Sequence, residues 1–184
     1  MKKCVVFLAD GFEEIEALAT VDLLRRANIN VTVAGVTGAE CVGAHNIKVA
    51  ADVDVSTVNA ESFDAFVCPG GGVGAENLRN SHTVKTLVKN AFENGKLVAA
   101  ICAAPTVLEE AGIMKGKKST IYPAMKDCLK DAQYLNCHVV QDGNIITGAG
   151  PAATFPFAFA IIEYLADKET ADKVAADTLF SSAQ

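Results

Sequence analysis

The chain has 184 residues, 51% of them hydrophobic, and a formal charge of −6. That is enough apolar material for one domain with a sizeable core, and an acidic chain without a Lys/Arg cluster excludes nucleic-acid binding through an electrostatic footprint. No charge-free apolar stretch reaches the ~20 residues that a membrane span requires. The start, Met1-Lys2-Lys3-Cys4-Val5-Val6-Phe7-Leu8-Ala9, imitates a signal peptide but runs into Asp10 and Glu13-Glu14-Ile15-Glu16. Residues 3–9 are therefore read as the first strand of a cytoplasmic protein. Residues 13–27 set Ile15, Leu18, Ala19, Leu23 and Leu24 at helical spacing, and residues 30–36 form a second strand. Residues 41–54 look like a short hairpin that turns at His45-Asn46. A strand over 64–68 ends in Pro69-Gly70-Gly71-Gly72-Val73-Gly74, and residues 75–93 read as one helix. Short strands are expected near 118–121, 137–141 and 144–147, then helices over 154–166 and 168–180.

Strands alternating with helices imply an α/β fold, a mostly parallel, doubly wound sheet covered on both faces as a three-layer sandwich in a single domain. Ligands on such a sheet bind beyond the carboxyl ends of the strands, where the strand order reverses. The segments 8–11, 68–72 and 101–103 should converge there.

Cys102 stands at such a strand end. The apolar run Leu97-Val98-Ala99-Ala100-Ile101 precedes it, and a helix closed by Gly112 follows from Ala103-Ala104-Pro105. Small residues on both sides suit a sharp strand-to-helix turn that exposes a nucleophile. A thiol at a helix N-terminus is expected to have a lowered pKa, and the thiolate is the reactive form. The alternative is an inert core cysteine. Of the other five cysteines, Cys4 and Cys68 fall in apolar strands and are assigned to the core. Cys41, Cys128 and Cys137 have polar surroundings and are expected to be exposed. No CxxC pair suggests zinc or a dithiol motif.

Two elements could complete a site around Cys102. Glu13 and Glu14 suit the first turn of a helix, where acids offset the dipole. Glu16 lies beside the apolar face; spacing leaves open whether it points inward or to solvent. If it is buried against the sulfur, its pKa should rise and make it a proton donor. The run Gly70-Gly71-Gly72-Val73-Gly74-Ala75 fits a dinucleotide-binding loop loosely. The acid expected ~20 residues later falls near Glu93, at a helix end rather than a strand end. Glycine here instead brings backbone N–H groups close to a ligand, with Gly71 and Ala103 as oxyanion donors.

These pieces at these spacings resemble the ThiJ/PfpI superfamily, in particular its parkinsonism-associated DJ-one branch. The carriers are residues 8–16, Val21-Asp22-Leu23-Leu24-Arg25-Arg26-Ala27, Cys68-Pro69-Gly70-Gly71, Ala99-Ala100-Ile101-Cys102-Ala103-Ala104-Pro105-Thr106, residues 142–147 and Gly150-Pro151. The resemblance implies a flavodoxin-like sandwich, a homodimer and no obligatory cofactor. It assigns Cys102 as an easily oxidised nucleophile, Glu16 as its protonated partner and Gly71 as a backbone donor; Gly70 and Tyr122 are further expected to border the substrate. Activities ascribed to the branch are glutathione-independent glyoxalase chemistry, removal of early glycation adducts, and redox-regulated chaperoning. Three positions depart from the pattern. Tyr122 replaces a frequent histidine, His45 replaces an arginine of the dimer-contact segment, and residues 148–153 lack the arginine and second glycine often found around that Gly-Pro.

The resulting expectation is an enzyme acting on a small 2-oxoaldehyde or a glycated substrate through Cys102 and Glu16. The competing reading is a redox sensor or chaperone that works by oxidation of the same thiol. A cysteine peptidase is disfavoured because Ala103, not histidine, follows the nucleophile. An amidotransferase is disfavoured because His138-Val139-Val140 offers no nearby glutamate.

Overall fold

The computed structural model describes residues 1–180. Strand β1 (Lys3–Leu8) leads through a π-helical turn (Ile15–Ala19) into α1 (Thr20–Arg26) and β2 (Asn30–Gly35). An excursion follows: β3 (Glu40–Val42) and β4 (Lys48–Ala50) pair antiparallel as a hairpin, with Asn46 in the left-handed region at φ 65°. Then come β5 (Val53–Asp54), β6 (Ala65–Cys68), α2 (Gly72–Asn80), α3 (His82–Glu93), β7 (Leu97–Ile101) and α4 (Pro105–Glu110). The two-residue strands β8 (Lys118–Ser119) and β9 (Gln133–Tyr134) make a small separate pair, and β10 (Val139–Asp142), β11 (Ile145–Gly148), α5 (Thr154–Leu165) and α6 (Lys168–Asp177) complete the chain.

The main sheet has seven strands in the order β10-β11-β7-β6-β1-β2-β5. Its strands run parallel except β10, which returns antiparallel beside β11. Alternation along the strands divides the apolar residues between two cores, because successive side chains leave opposite faces. Val6, Leu8 and Ile101 point toward α1, α5 and α6, with Phe157 and Ile161. Val5, Phe7 and Phe66 point toward α2, α3 and α4, with Val88 and Leu108. Both faces are therefore covered, and the central strands β6, β7 and β1 from Cys4 onward are unbroken buried apolar runs, as a doubly covered parallel sheet requires. Among the described residues, no helix is long and apolar enough to cross a membrane.

Four local expectations are corrected. The helix over 75–93 is two helices that begin earlier, at Gly72. Ser81 is extended (ψ 115°) and ends α2, while its Oγ accepts the Val84 N–H at 3.3 Å and caps α3. Ile15 does not join an inward apolar face but is 54% exposed. The π-helical turn is wider than an α-turn and shifts the register, so Glu16 and Ala17 are the buried residues there. Cys41 is fully buried: its Sγ lies 3.4 Å from the Leu8 carbonyl, covered by the hairpin it belongs to. Strand β9 has no periodic signature in two residues, and β5 lay concealed within the segment read as a hairpin.

Candidate active site

The order β6-β1-β2 places the strand-order reversal between β1 and β6, so the chain leaves these neighbouring strands toward opposite sides and a crevice opens beyond their ends. The three segments expected there do meet. Glu13 N–H donates to the Gly70 carbonyl at 3.0 Å, Gly74 N–H donates to Gly11 at 3.0 Å, and Gly70 N–H donates to Glu16 Oε2 at 2.8 Å.

Cys102 ends β7 in the left-handed region, φ 62°. A non-glycine residue rarely accepts this conformation, and strain of this kind persists where the surroundings fix it. They do so here: Cys102 N–H donates to the Gly148 carbonyl at 2.8 Å, and its own carbonyl accepts Tyr122 N–H at 3.0 Å. The side chain is thereby held half-buried at the crevice, with the N–H groups of Gly71 and Ala103 directed at its sulfur.

Glu16 is buried to 0% exposure beside it. Its Oε2 is held by Gly70 N–H, while Oε1 has no hydrogen-bond partner in the protein. A side chain on Gly70 would collide with Glu16 Oε2 and the Cys102 β-carbon, so glycine is what allows acid and thiol to approach across the loop. At Gly71 the backbone is left-handed (φ 89°), and a β-carbon would strike the Gly11 carbonyl. The glycine run is thus filled by its own neighbours: Gly70 N–H holds Glu16, Gly74 N–H holds the Gly11 carbonyl and only Gly71 N–H faces the sulfur, which leaves the loose dinucleotide fit without support.

Burial pushes the Glu16 carboxyl up to about 7, against the opposing pull of Cys102 and the Gly70 N–H. Cys102 departs from the expected low pKa. Burial first, then the charge of Glu16, pushes the thiol up to about 12; the Gly71 and Ala103 N–H groups pull it down only in part. The following helix α4 has only six residues, so little dipole is available to offset desolvation. The side-chain contact with Cys102 pulls the Glu16 carboxyl down and raises the thiol, so of the two groups Glu16 is the one that ionises first.

The remaining assigned residues separate cleanly. Tyr122 is 46% exposed and borders a recess next to Cys102 together with His138 and residues 149–153. Cys4 and Cys68 are core residues, and burial pushes the Cys68 thiol up to about 12. Cys128 and Cys137 are exposed, as expected. Spacing did not single out Glu14, which is buried. Its Oε1 accepts the His45 backbone N–H at 2.7 Å, and Oε2 lies 2.8 Å from His45 Nδ1. Burial alone would raise Glu14, but the side-chain and backbone hydrogen bonds of His45 bring it below the usual carboxylate value. Glu13, Glu14 and His45 are also the one group of potential metal ligands gathered among the described residues, with ligand atoms within 4.8 Å. Both oxygens of Glu14 are already engaged by His45, so the group is an ion pair that ties the hairpin to the helix entrance.

A strand-to-helix turn carrying a strained cysteine, faced by a buried acid from the π-helical turn, is thus set into a protein of the three-layer α/β type. Residues 2–164 match the DJ-1/PfpI family, and the chain belongs to that family. It is 42% identical over 177 residues to protein dj-1beta of Drosophila melanogaster, covering 95% of each chain. The crystal structure of that protein superposes with a TM-score of 0.94, at 41% identity and 97% coverage of both chains. Toxoplasma gondii DJ-1 in an oxidized form gives the same TM-score, at 37% identity, covering 97% of this chain and 98% of that one. A deglycase of Pyrococcus horikoshii is 32% identical over 164 residues, 88% of this chain and 98% of its own. The flavodoxin-like fold expected from the resemblance is the observed one.

Proposed function

We propose that the chain is a cysteine-dependent enzyme of the glyoxalase or deglycase type, acting without a cofactor on methylglyoxal or early glycation adducts. The observation that carries this reading is the buried Glu16, whose carboxyl meets Cys102 across Gly70 while two backbone N–H groups face the thiol. The pair supplies a base, a nucleophile and oxyanion donors at one point.

For methylglyoxal, the Cys102 proton passes to the Glu16 carboxylate as Sγ bonds the aldehyde carbon. The carbonyl electrons move onto oxygen, where the Gly71 and Ala103 N–H groups stabilise them, and Glu16 returns the proton there to give a neutral hemithioacetal. Glu16 next removes the hydrogen of that carbon, forming an enediolate, and delivers it to the neighbouring former ketone carbon while the hydroxyl proton moves between the two oxygens. The aldehyde carbon is thereby oxidised and the ketone carbon reduced, so no external oxidant is consumed. Water then cleaves the resulting thioester, releasing a 2-hydroxy acid and restoring the thiol.

The test is lactate formation from methylglyoxal without glutathione. Cys102→Ser should fall to background and Glu16→Gln by about 10²–10⁴-fold, the usual range for a lost general acid–base. Unchanged turnover in Cys102→Ser defeats the mechanism. A redox role is the second reading, favoured by the partly accessible sulfur and by a relative known in an oxidized form. One peroxide would convert the thiol to sulfenic acid and a second to sulfinic acid, each with release of water. Peroxide-dependent mass shifts confined to Cys102, in protein that does not turn over methylglyoxal, would support it. We also propose a homodimer in the cytoplasm. The large exposed apolar residues Ile15 (54%) and Ile47 (50%), on either side of the Glu14–His45 pair, suit a self-contact.

A further inference from the structure

Beside the Cys102 turn lies a recess of about 190 Å³ bounded by Tyr122, Pro123, His138 and the segment 149–153. Two of its walls are fastened to the nucleophile. Tyr122 N–H donates to the Cys102 carbonyl, and the segment 149–153 continues directly from Gly148, whose carbonyl holds the Cys102 N–H. The recess therefore keeps a constant position relative to the sulfur. It is smaller than the ~300 Å³ at which whole-ligand sites begin, so it suits one substituent rather than an entire ligand.

Its chemistry is narrow. Segment 149–153 (Ala-Gly-Pro-Ala-Ala) offers only methyl groups, a pyrrolidine ring and backbone. The polar side chains are Tyr122 and His138, both exposed at the rim, and no lysine or arginine borders the space. The Tyr122 ring lies against Gly150: a β-carbon there would stand 3.4 Å from Tyr122 Cδ2. The ring thus packs along the loop and forms an aromatic wall of the recess. Hydroxyl groups of a sugar-derived substituent would lose water here and meet carbon, which is costly. An aryl or branched alkyl group would bury carbon against carbon and, if aromatic, stack on Tyr122.

We propose that this recess holds the substituent on the ketone carbon and that the enzyme favours 2-oxoaldehydes bearing an aromatic or bulky apolar group over methylglyoxal. This rests on the proposed Cys102 chemistry and adds Tyr122, Ala152 and Ala149 as specificity-determining residues. A methyl group, as in methylglyoxal, fills little of the space.

The experiment compares kcat/KM for phenylglyoxal and methylglyoxal in the full-length wild type, Ala152→Leu and Tyr122→Ala. Comparing the ratio between proteins cancels the intrinsic reactivity of the two aldehydes. Ala152 is exposed, so a leucine there narrows the recess without disturbing the core. The phenylglyoxal-to-methylglyoxal ratio should fall roughly tenfold in Ala152→Leu and several-fold in Tyr122→Ala, the scale set by a few buried carbons. A ratio unchanged in both variants overturns the proposal. A second readout needs no turnover: the His138 ring resonances, assigned with His138→Gln, are followed by NMR during titration with acetophenone. If the wild type turns over neither aldehyde, the glyoxalase reading fails. Saturable movement of the His138 signals then still supports an apolar recess, and no movement overturns that as well.

Discussion

At the level of single residues, the site is governed by the protonation of the buried Glu16 beside the half-buried Cys102 thiol. Glu16 ionises near 7 in the fold against an ordinary 4.5, because burial disfavours its charge. Two consequences follow. The base form of Glu16 is gained as pH rises through about 7, so kcat/KM should climb through that region, and Glu16→Gln should flatten the profile along with lowering it. For stability the sign is opposite. Between about 4.5 and 7 the native state holds a proton that the unfolded chain has released, so stability falls as pH rises. Glu16→Gln should therefore be more stable than wild type above pH 7, by an amount on the order of 2–3 kcal/mol, measured by urea denaturation at pH 5 and pH 8. The Glu14–His45 pair works the other way. Glu14 is lowered and His45 is raised by its hydrogen bond to Glu14, so the tie stabilises most between about 4.5 and 6.5, where both partners are charged. It fades as pH drops through the Glu14 pKa or rises through that of His45. His45→Gln should narrow the wild-type stability maximum in that window, a difference visible in thermal melts across pH. Cys102 was legible from its turn and Glu16 from the accompanying motif, but nothing local marks Glu14 as buried. Its partner comes from a hairpin remote in the chain, and first-turn acids ordinarily face solvent.

At the level of elements, the strands were legible because a doubly covered parallel sheet demands unbroken apolar runs, as in Leu97–Ile101. The break between α2 and α3 was not. Asn80-Ser81-His82 contains neither glycine nor proline, and the stop comes from Ser81 serving one helix end and the next helix start. Replacing it with alanine removes the cap of α3 and should cost about 1 kcal/mol, read as a lower denaturant midpoint with unchanged slope. The π-helical turn was equally hidden, since its wider winding carries no compositional mark. Yet that turn is what brings Glu16 inward and leaves Ile15 outside.

The molecule as a whole links its core to its chemistry. Phe157 is fully buried between α5 and the sheet, and a β-carbon on Gly148 would stand 3.1 Å from its ring. The ring thus backs the strand end whose carbonyl fixes Cys102. Phe157→Ala should lose about 3–5 kcal/mol of stability through the cavity it leaves. It should also slow lactate formation from methylglyoxal at temperatures where the variant remains folded, checked by activity beside a circular dichroism melt. Ile15→Asp tests the other side of the molecule. If the exposed Ile15 and Ile47 form the self-contact, sedimentation should change from dimer to monomer, with the fold retained because Ile15 lies outside the core.

The hold of Gly148 on Cys102 has a further consequence for the chain while it is being made. Glu16 and Gly70 emerge from the ribosome before Cys102, so the acid can find its loop early. The strand that pins the thiol emerges well after it, and until β11 docks beside β7 the cysteine belongs to an unfinished sheet edge. During that interval the Cys102 turn lacks the Gly148 carbonyl that receives its N–H, so the left-handed conformation at the thiol is pinned only when the last strands close.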